Sequence, residues 1–376
     1  YVRGRTTPHM IWEDGRWQGE SMDLVRELDA RYSTSNSSSQ TKLYPPGMED
    51  EVEDAIKAFT NIYPRGSRPS SRAAYLFRSN GEPLFKSEFQ RVLSETDQLL
   101  SRTADDGPFF CGHRVTAADV AWAPFLERYA AQLPCLHSDL DPRSKTEYPH
   151  LSAWYHAMDT HVDVAVYPCR IKGNASSWRK VLGMAGYGNM GNVPLLIQER
   201  MNEEEEKERE LYHSKENHHH NNDDDHNNDH DDNLQQIWNA YASTRPWVAH
   251  GPAREAASII IRNRKAIVED CYYHYNKQSY DDGNSYNNDN NNNSNNNNPL
   301  PHSKEELDHV LQMLAWKLIA MEKQIDDDVC RNIKKFSQDD TINIQRLAKF
   351  LDERMCVPRD MGSLSASCVK KLSIAC

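Results

Sequence analysis

The chain of 376 residues lacks several things that would have named a function early. No run of about 18 apolar residues occurs, so a membrane-spanning helix is not expected. The balance is not basic: the net charge is −12. Residues 201–232 hold 13 Asp and Glu against 3 Lys and Arg, a net of −10, so the rest of the chain is nearly neutral. Nucleic-acid binding would need a basic footprint, and there is none. The eight cysteines stand apart, at 111, 135, 169, 271, 330, 356, 368 and 376, with no CxxC and no metal-ligand pair. That usage suits buried thiols in a reducing compartment better than a disulfide scaffold. Strand signals are scarce and no internal repeat is visible. The glycines of WRKVLGMAGYGNMGNVP, 178–194, do not make a phosphate loop, since no GKS/T follows and no strand precedes; the stretch reads as a flexible excursion.

What the sequence does hold is helical periodicity. Leu24, Val25, Leu28 and Tyr32 fall on one face over 20–32. Leu84, Phe85, Phe89, Val92, Leu93, Thr96 and Leu99 do so over 84–100. Ser303 with Glu306 makes a capping box ahead of the stripe Leu307, Val310, Leu311, Leu314, Leu318, Met321 and Ile325. A further helix runs from about Asp340 through Ile344, Leu347 and Leu351 and ends before Val357-Pro358. A compact turn and a short helix capped near Ser363 or Ser365 close the chain.

Five blocks follow. Residues 1–32 carry a hairpin, with strands at about 9–13 and 16–18, and a helix. Residues 33–47 are a Ser/Asn/Pro-rich linker. Residues 48–200 are helical. Residues 201–233 are an acidic, His- and Asn-rich linker, too charged to fold. Residues 234–376 are helical again, interrupted by the Asn-rich insertion 281–298, expected to be disordered.

Two segments carry more specific information. In GPFFCGHRVTAADVAWAPFLERY, 107–129, Gly107-Pro108 ends one helix and Gly112 suits a left-handed backbone. Thr116 is then the N-cap of a new helix, Asp119 at N3 reaches back to it, and Val115 and Val120 form a hydrophobic staple. The helix that follows is almost wholly apolar and must be buried. In WEDGRWQGESMDLVRELDARY, 12–32, a hairpin leads through Glu20-Ser21 into a helix.

Together these segments resemble the cytosolic glutathione transferase superfamily. In that family a thioredoxin-like domain ends in two antiparallel strands and a helix, with an acidic residue and Ser at the turn before the helix. A cis-proline opens the strand ahead of them, and Thr7-Pro8 stands at that place. The second, all-helical domain has a buried helix opened by a capping box after a Gly, as in GHRVTAADVAW, and YPHLSAWYHAMDTHVDV is similar to the helix that follows. The resemblance covers about 1–32 and 48–180. It implies a mainly α protein: a transferase-type helical bundle preceded by a β-β-α remnant of a thioredoxin-like domain. The strand, helix and strand that open that domain, with the catalytic Tyr, Ser or Cys, are expected to be missing, so no catalytic residue is named.

The resemblance also implies a glutathione site. Ser21 at a helix N-terminus would receive the γ-glutamyl carboxylate. Glu20 would face the ammonium, and Thr7 before Pro8 would pair with the cysteinyl backbone like an added strand. Arg72 and Tyr75, in NIYPRGSRPSSRAAYLFRSNGEPL, are the candidates to line the acceptor site; read from the residues alone they belong to a solvated loop and a core. The six His and many Asp of 213–232 read as a linker and not a metal site.

The functional expectation is glutathione-dependent transfer or thiol reduction on a small apolar electrophile, with glutathione as co-substrate and no metal. The alternative is a non-catalytic interaction module that keeps the architecture. The expected partners are glutathione, a small acceptor and a second copy of the chain as a homodimer, with no nucleic acid and no membrane. The location would be cytoplasmic, or plastid if a transit peptide was lost. The 234–376 tail resembles an extension found on some glutathione transferase-like proteins of photosynthetic organisms.

Overall fold

In the computed structural model the described residues are 8–32, 42–64, 75–187, 192–218, 228–281, 303–322 and 336–374; the side chains of 185, 211–218, 228–232 and 275–281 are not among them. They divide into two compact units, one of residues up to Val164 with Asn174–Glu205, the other of Ala165–Gly173 with Glu206 onwards.

The first unit begins with a two-stranded antiparallel hairpin, β1 (Met10–Ile11) and β2 (Trp17–Gln18), in the register Met10 to Gln18. It is shorter than the sequence suggests. Trp12 holds it: its ring is buried, its Nε1 donates to Gln18 Oε1 at 2.7 Å, and Arg31 of the next helix lies 4.1 Å from its ring centre. Gly15 turns the hairpin at φ +79°. Helix α1 (Ser21–Tyr32) follows. Its inner face is narrower than the periodicity suggests. Leu24 is buried, whereas Tyr32 is 58% exposed.

Four long helices make the rest of this unit's core: α2 (Glu49–Ile62), α3 (Lys86–Ser101), α4 (Ala117–Leu136) and α5 (Pro149–Thr160). α4 packs on α1, α2 and the short α6 (Ala175–Val181), and α3 packs on α5. Trp122 and Trp154 are buried to 2% and 0% exposure, and each satisfies its indole: Trp122 Nε1 donates to Ala55 O at 3.0 Å, and Trp154 Nε1 to Asp119 Oδ1 at 2.9 Å. The first amides of α5 find a cap far away in sequence, since His150 and Leu151 both donate to Asp97 Oδ1 at 2.8 Å. Phe85, placed on the inner face of α3 by its spacing, is instead the residue before the helix and is 64% exposed.

Residues 182–186, read as part of a flexible excursion, form a π-helical turn. Gly186 is needed there, because a Cβ would stand 2.6 Å from the Phe77 ring. The acidic stretch from 201, expected not to fold, is helical to His218 as part of α7 (Leu195–His218). Tertiary links explain why composition misled. Ile197 and Met201 are buried, Arg179 pairs with Glu205, and Arg200 Nη1 donates to Leu136 O at 2.6 Å. Residues 228–233 of that linker, also expected not to fold, open a further helix; its residues 219–227, and the Asn-rich insertion 281–298 from residue 282 on, lie outside the described residues.

The second unit contains α8 (Asn228–Ala242), α9 (Pro252–Arg262), α10 (Arg264–Asp281), α11 (Lys304–Ile319), α12 (Gln338–Arg354) and α13 (Ser363–Ile374). Its core gathers Ala256, Ile260, Leu311, Leu314, Leu318, Leu347 and Val369. The expected stripe of α11 is buried through Leu318; Met321 is 38% exposed and Ile325 is outside the described residues. Ser303 caps α11 by accepting from Glu306 N at 3.1 Å. α12 opens with a full capping box, Ser337 with Asp340. Within this unit Lys370, 3% exposed, pairs with Glu208 at 2.9 Å. No helix of the described residues is long and apolar enough to cross a membrane.

Candidate functional site

The hairpin register decides where the expected glutathione residues fall. Met10 pairs with Gln18. One step outward His9 meets Gly19, and a Cβ on Gly19 would come within 3.1 Å of His9 Nε2. Pro8 precedes β1, and Glu20 and Ser21 follow β2. Three of the four expected residues, Pro8, Glu20 and Ser21, therefore gather at one end of the hairpin. Thr7 lies outside the described residues, and the Thr7–Pro8 peptide with it.

Glu20 reaches this place at a cost. Its φ is +60°, the left-handed region that a β-carbon disfavours. The twist lets the chain leave β2 and start α1 in one step, with Glu20 O accepting from Leu24 N at 3.0 Å. Glu20 and Ser21 are both exposed, and no side chain of the described residues pairs with either. The result is an uncommitted carboxylate and an uncommitted hydroxyl at the positive end of a helix. The frame around them is firm. Glu27 of α1 pairs with Arg16 at 3.0 Å and Arg31 at 2.6 Å, and Asp29 accepts from Leu43 N at 2.8 Å and Tyr44 N at 3.2 Å. The Arg31 guanidinium holds the Glu27 carboxyl below its ordinary value.

The capping box of α4 has the opposite character. Thr116 and Asp119 are fully buried. Asp119 Oδ2 accepts from Thr116 N at 2.9 Å and Thr116 Oγ1 at 3.1 Å; Oδ1 accepts from Phe110 N at 3.2 Å and Trp154 Nε1 at 2.9 Å. Burial pushes this carboxyl above its ordinary value, and the hydrogen bonds work against the shift. Every acceptor position is used, so the box fastens the 107–119 loop, α4 and α5 together and leaves nothing for a ligand. Gly107 and Gly112, at φ +155° and +90°, allow the loop to close: a Cβ on Gly107 would stand 2.4 Å from His113 Cα. The expected staple is not seen in burial, as Val120 is 36% exposed.

Of the two acceptor-site candidates, Arg72 lies outside the described residues. Tyr75 is half-buried, at φ +65°, and belongs to an aromatic cluster. Its ring is edge-on to Tyr63 at 3.9 Å and stacked with Phe125 at 5.5 Å. Phe59 meets Phe125 at 4.4 Å and Trp122 at 5.0 Å. Phe59, Tyr63, Tyr75 and Phe125 all keep part of their surface in solvent. The sequence reading missed Phe59 and Phe125. Phe125 lay in a helix read as wholly buried, and the signal for Phe59 was only its place on the helix that pairs with it. Arg78 turns away to Glu82 and to the face of Phe85, 4.4 Å from its centre.

Among the described residues no three His, Cys, Asp or Glu side chains gather as metal ligands. The His/Asp tract of 213–232 lies outside the described side chains.

A helical unit with a buried Thr-x-x-Asp box, joined to a β-β-α element with a strained acidic residue before its helix, defines a class. Residues 50–157 match the family model described as glutathione S-transferase, C-terminal domain. That stretch of the chain is thus similar to the C-terminal domain of glutathione S-transferases. A relative is the glutathione S-transferase-like protein OpS6 of Beauveria bassiana, 38% identical over 71 residues, which are 19% of this chain and 29% of the relative. The chain thus spans under a third of that relative's length. No solved structure matches.

Proposed function

We propose that this protein is a glutathione-dependent transferase or thiol reductase that binds glutathione at the Pro8, Glu20 and Ser21 end of the hairpin. The observation that carries this is Glu20. It is held in a left-handed conformation at the start of a helix, exposed and with no side-chain partner among the described residues. Strain of this kind persists when the surrounding structure imposes it, and it concentrates where ligands bind. The α1 amides and the Ser21 hydroxyl suit the γ-glutamyl carboxylate, and Glu20 suits the ammonium beside it. Thr7 would offer its backbone to the cysteinyl unit. The aromatic cluster of Phe59, Tyr63, Tyr75 and Phe125 suits a flat apolar acceptor, and Arg72 stays a candidate for the same role from its place in the sequence. Glutathione is the only co-substrate the chemistry needs, and a homodimer is the working assembly. The family match and the OpS6 likeness support the same reading.

The test is a thermal-shift titration of the full chain with glutathione, alongside Glu20→Ala/Ser21→Ala. A ligand that binds only the folded state raises the midpoint. The proposal expects a rise at millimolar glutathione that the double variant loses. No rise, or an equal rise in both, would favour the other reading, a helical interaction module that keeps the architecture without the ligand.

A further inference from the structure

The turn at residues 78–82, RSNGE, holds the chain's single Asn-Gly pair, Asn80-Gly81; every other Asn is followed by a residue with a β-carbon. The peptide nitrogen that follows an Asn can attack that residue's own side-chain amide. A β-carbon on the following residue ordinarily crowds the approach, and glycine has none. Here the approach is clear. Gly81 stands at φ +84°, and no atom beyond its immediate neighbours lies within 4 Å of where a Cβ would be. Asn80 is exposed, so water reaches its amide.

The hydrogen bonds at the tip of the turn favour the same attack. Glu82 N donates to Asn80 Oδ1 at 3.1 Å, and that oxygen gathers negative charge when Cγ is attacked. Asn80 Nδ2, the nitrogen that would leave, donates to Glu82 Oε2 at 3.1 Å. Gly81 N donates to Arg78 O at 2.9 Å and must release it, but a bond at the tip of an exposed turn opens at small cost. Below the tip the turn is fastened. Arg78 N donates to Glu82 O at 2.8 Å, Leu84 N donates to Leu76 O at 2.9 Å, and Leu76 and Phe77 are buried.

We propose that Asn80 is a site of spontaneous deamidation, which converts the 78–82 turn to an isoaspartyl form as the protein ages. The proposal does not rest on the glutathione reading. Gly81 N gives up its proton and bonds to Asn80 Cγ. The Cγ–Nδ2 bond breaks, and Nδ2 takes up the proton and leaves as ammonia. One water molecule then opens the succinimide ring that remains, and nothing is oxidised or reduced. Cleavage of the ring's Cγ–N bond leaves aspartate at position 80. Cleavage between Gly81 N and the main-chain carbonyl carbon leaves isoaspartate, with the main chain rerouted through the side chain and one carbon longer. The extra carbon falls between Arg78 and Glu82, whose backbone bond depends on the normal spacing, so the turn loosens.

The test holds the full chain folded in mildly alkaline buffer and maps its peptides by mass spectrometry at intervals. Electron-transfer fragments tell aspartate from isoaspartate at position 80. Asn80 should convert at least about tenfold faster than Asn239 or Asn263, with isoaspartate the larger product. Gly81→Ala, which puts a β-carbon beside the attacking nitrogen, should slow the conversion at least about tenfold. In the converted protein the Arg78 and Gly81 amides should exchange with deuterium at least about tenfold faster. An Asn80 that persists in the folded chain for as long as urea-unfolded chain takes to convert would overturn the proposal, since the turn would then protect the pair. Aspartate with no isoaspartate, the mark of direct hydrolysis, would overturn it too, and unchanged exchange would overturn the loosening. Should Gly81→Ala fail to fold, the comparison of folded and urea-unfolded wild type decides.

Discussion

Glu20 and Asp119 both stand at the start of a helix in the first unit, and their surroundings differ in every respect. Asp119 is fully buried and accepts four hydrogen bonds. Glu20 is exposed, in a left-handed conformation and without a side-chain partner among the described residues. One carboxylate is spent on the fold, whereas the other is held in reserve at a conformational cost. A third helix start separates burial from motif. Ser337 and Asp340 form the same box as Thr116 and Asp119, but on the surface, with Asp340 Oδ2 accepting from Ser337 N at 2.9 Å. There the backbone hydrogen bond from Ser337 holds the carboxyl below its ordinary value, while burial drives Asp119 above. The same four-residue pattern gives opposite shifts because one copy has lost water.

The most severe way to break the comparison is Asp119→Ala. It strands four donors, two of them on the buried Trp154 and Thr116 side chains, and should destabilise the full chain by about 3–5 kcal/mol in urea unfolding. Asp340→Ala removes an exposed cap and should lose about 1 kcal/mol. Equal losses would mean that burial does not separate the two boxes.

The pH dependence sharpens the same contrast. Asp119 has a raised folded value, so its contribution is whole below the unfolded carboxyl value of about 4 and is lost as pH rises through the folded value. Asp340 has a lowered one, so its contribution is present above about pH 4 and is lost as pH falls through the folded value. The stability gap between wild type and Asp119→Asn should therefore narrow from about pH 4 to about pH 7, while that of Asp340→Asn widens. Chemical denaturation at the two pH values reads both.

Phe125→Ala should leave the glutathione-induced thermal shift intact and weaken a dinitrophenyl–glutathione conjugate about tenfold, since it removes one stacking face. Isothermal titration with both ligands separates the two effects. A matching loss for glutathione itself would detach the aromatic cluster from the acceptor role.

The contrast also shows what was legible in the sequence. Capping signals are local: Thr116-x-x-Asp119 and the Ser303 cap of α11 were readable because their partners lie within one turn. The β-β-α opening was readable for the same reason. Contacts that cross the chain were not. Asp97 caps α5 from more than fifty residues away in sequence. The run of Glu after Met201 looked unable to fold because its partners, Arg179 and Lys370, are remote. Phe85 fitted the α3 period but precedes the helix, so its ring points to solvent. Phe59 and Phe125 escaped because an apolar helix reads as core on every side, and only the packing shows which rings remain half open. The uncommitted state of Glu20 was likewise invisible, since a left-handed φ leaves no mark on a Glu.

Glu20→Gly tests the central claim most directly, with stability and glutathione binding measured on the same protein. Glycine relieves the left-handed strain while removing the carboxylate. If Glu20 is kept for a ligand, the variant should match the wild type or gain up to about 1 kcal/mol of stability, and should lose most of its glutathione-induced thermal shift. A variant that is clearly less stable, or that binds glutathione as the wild type does, would show that Glu20 serves the fold and would contradict the account.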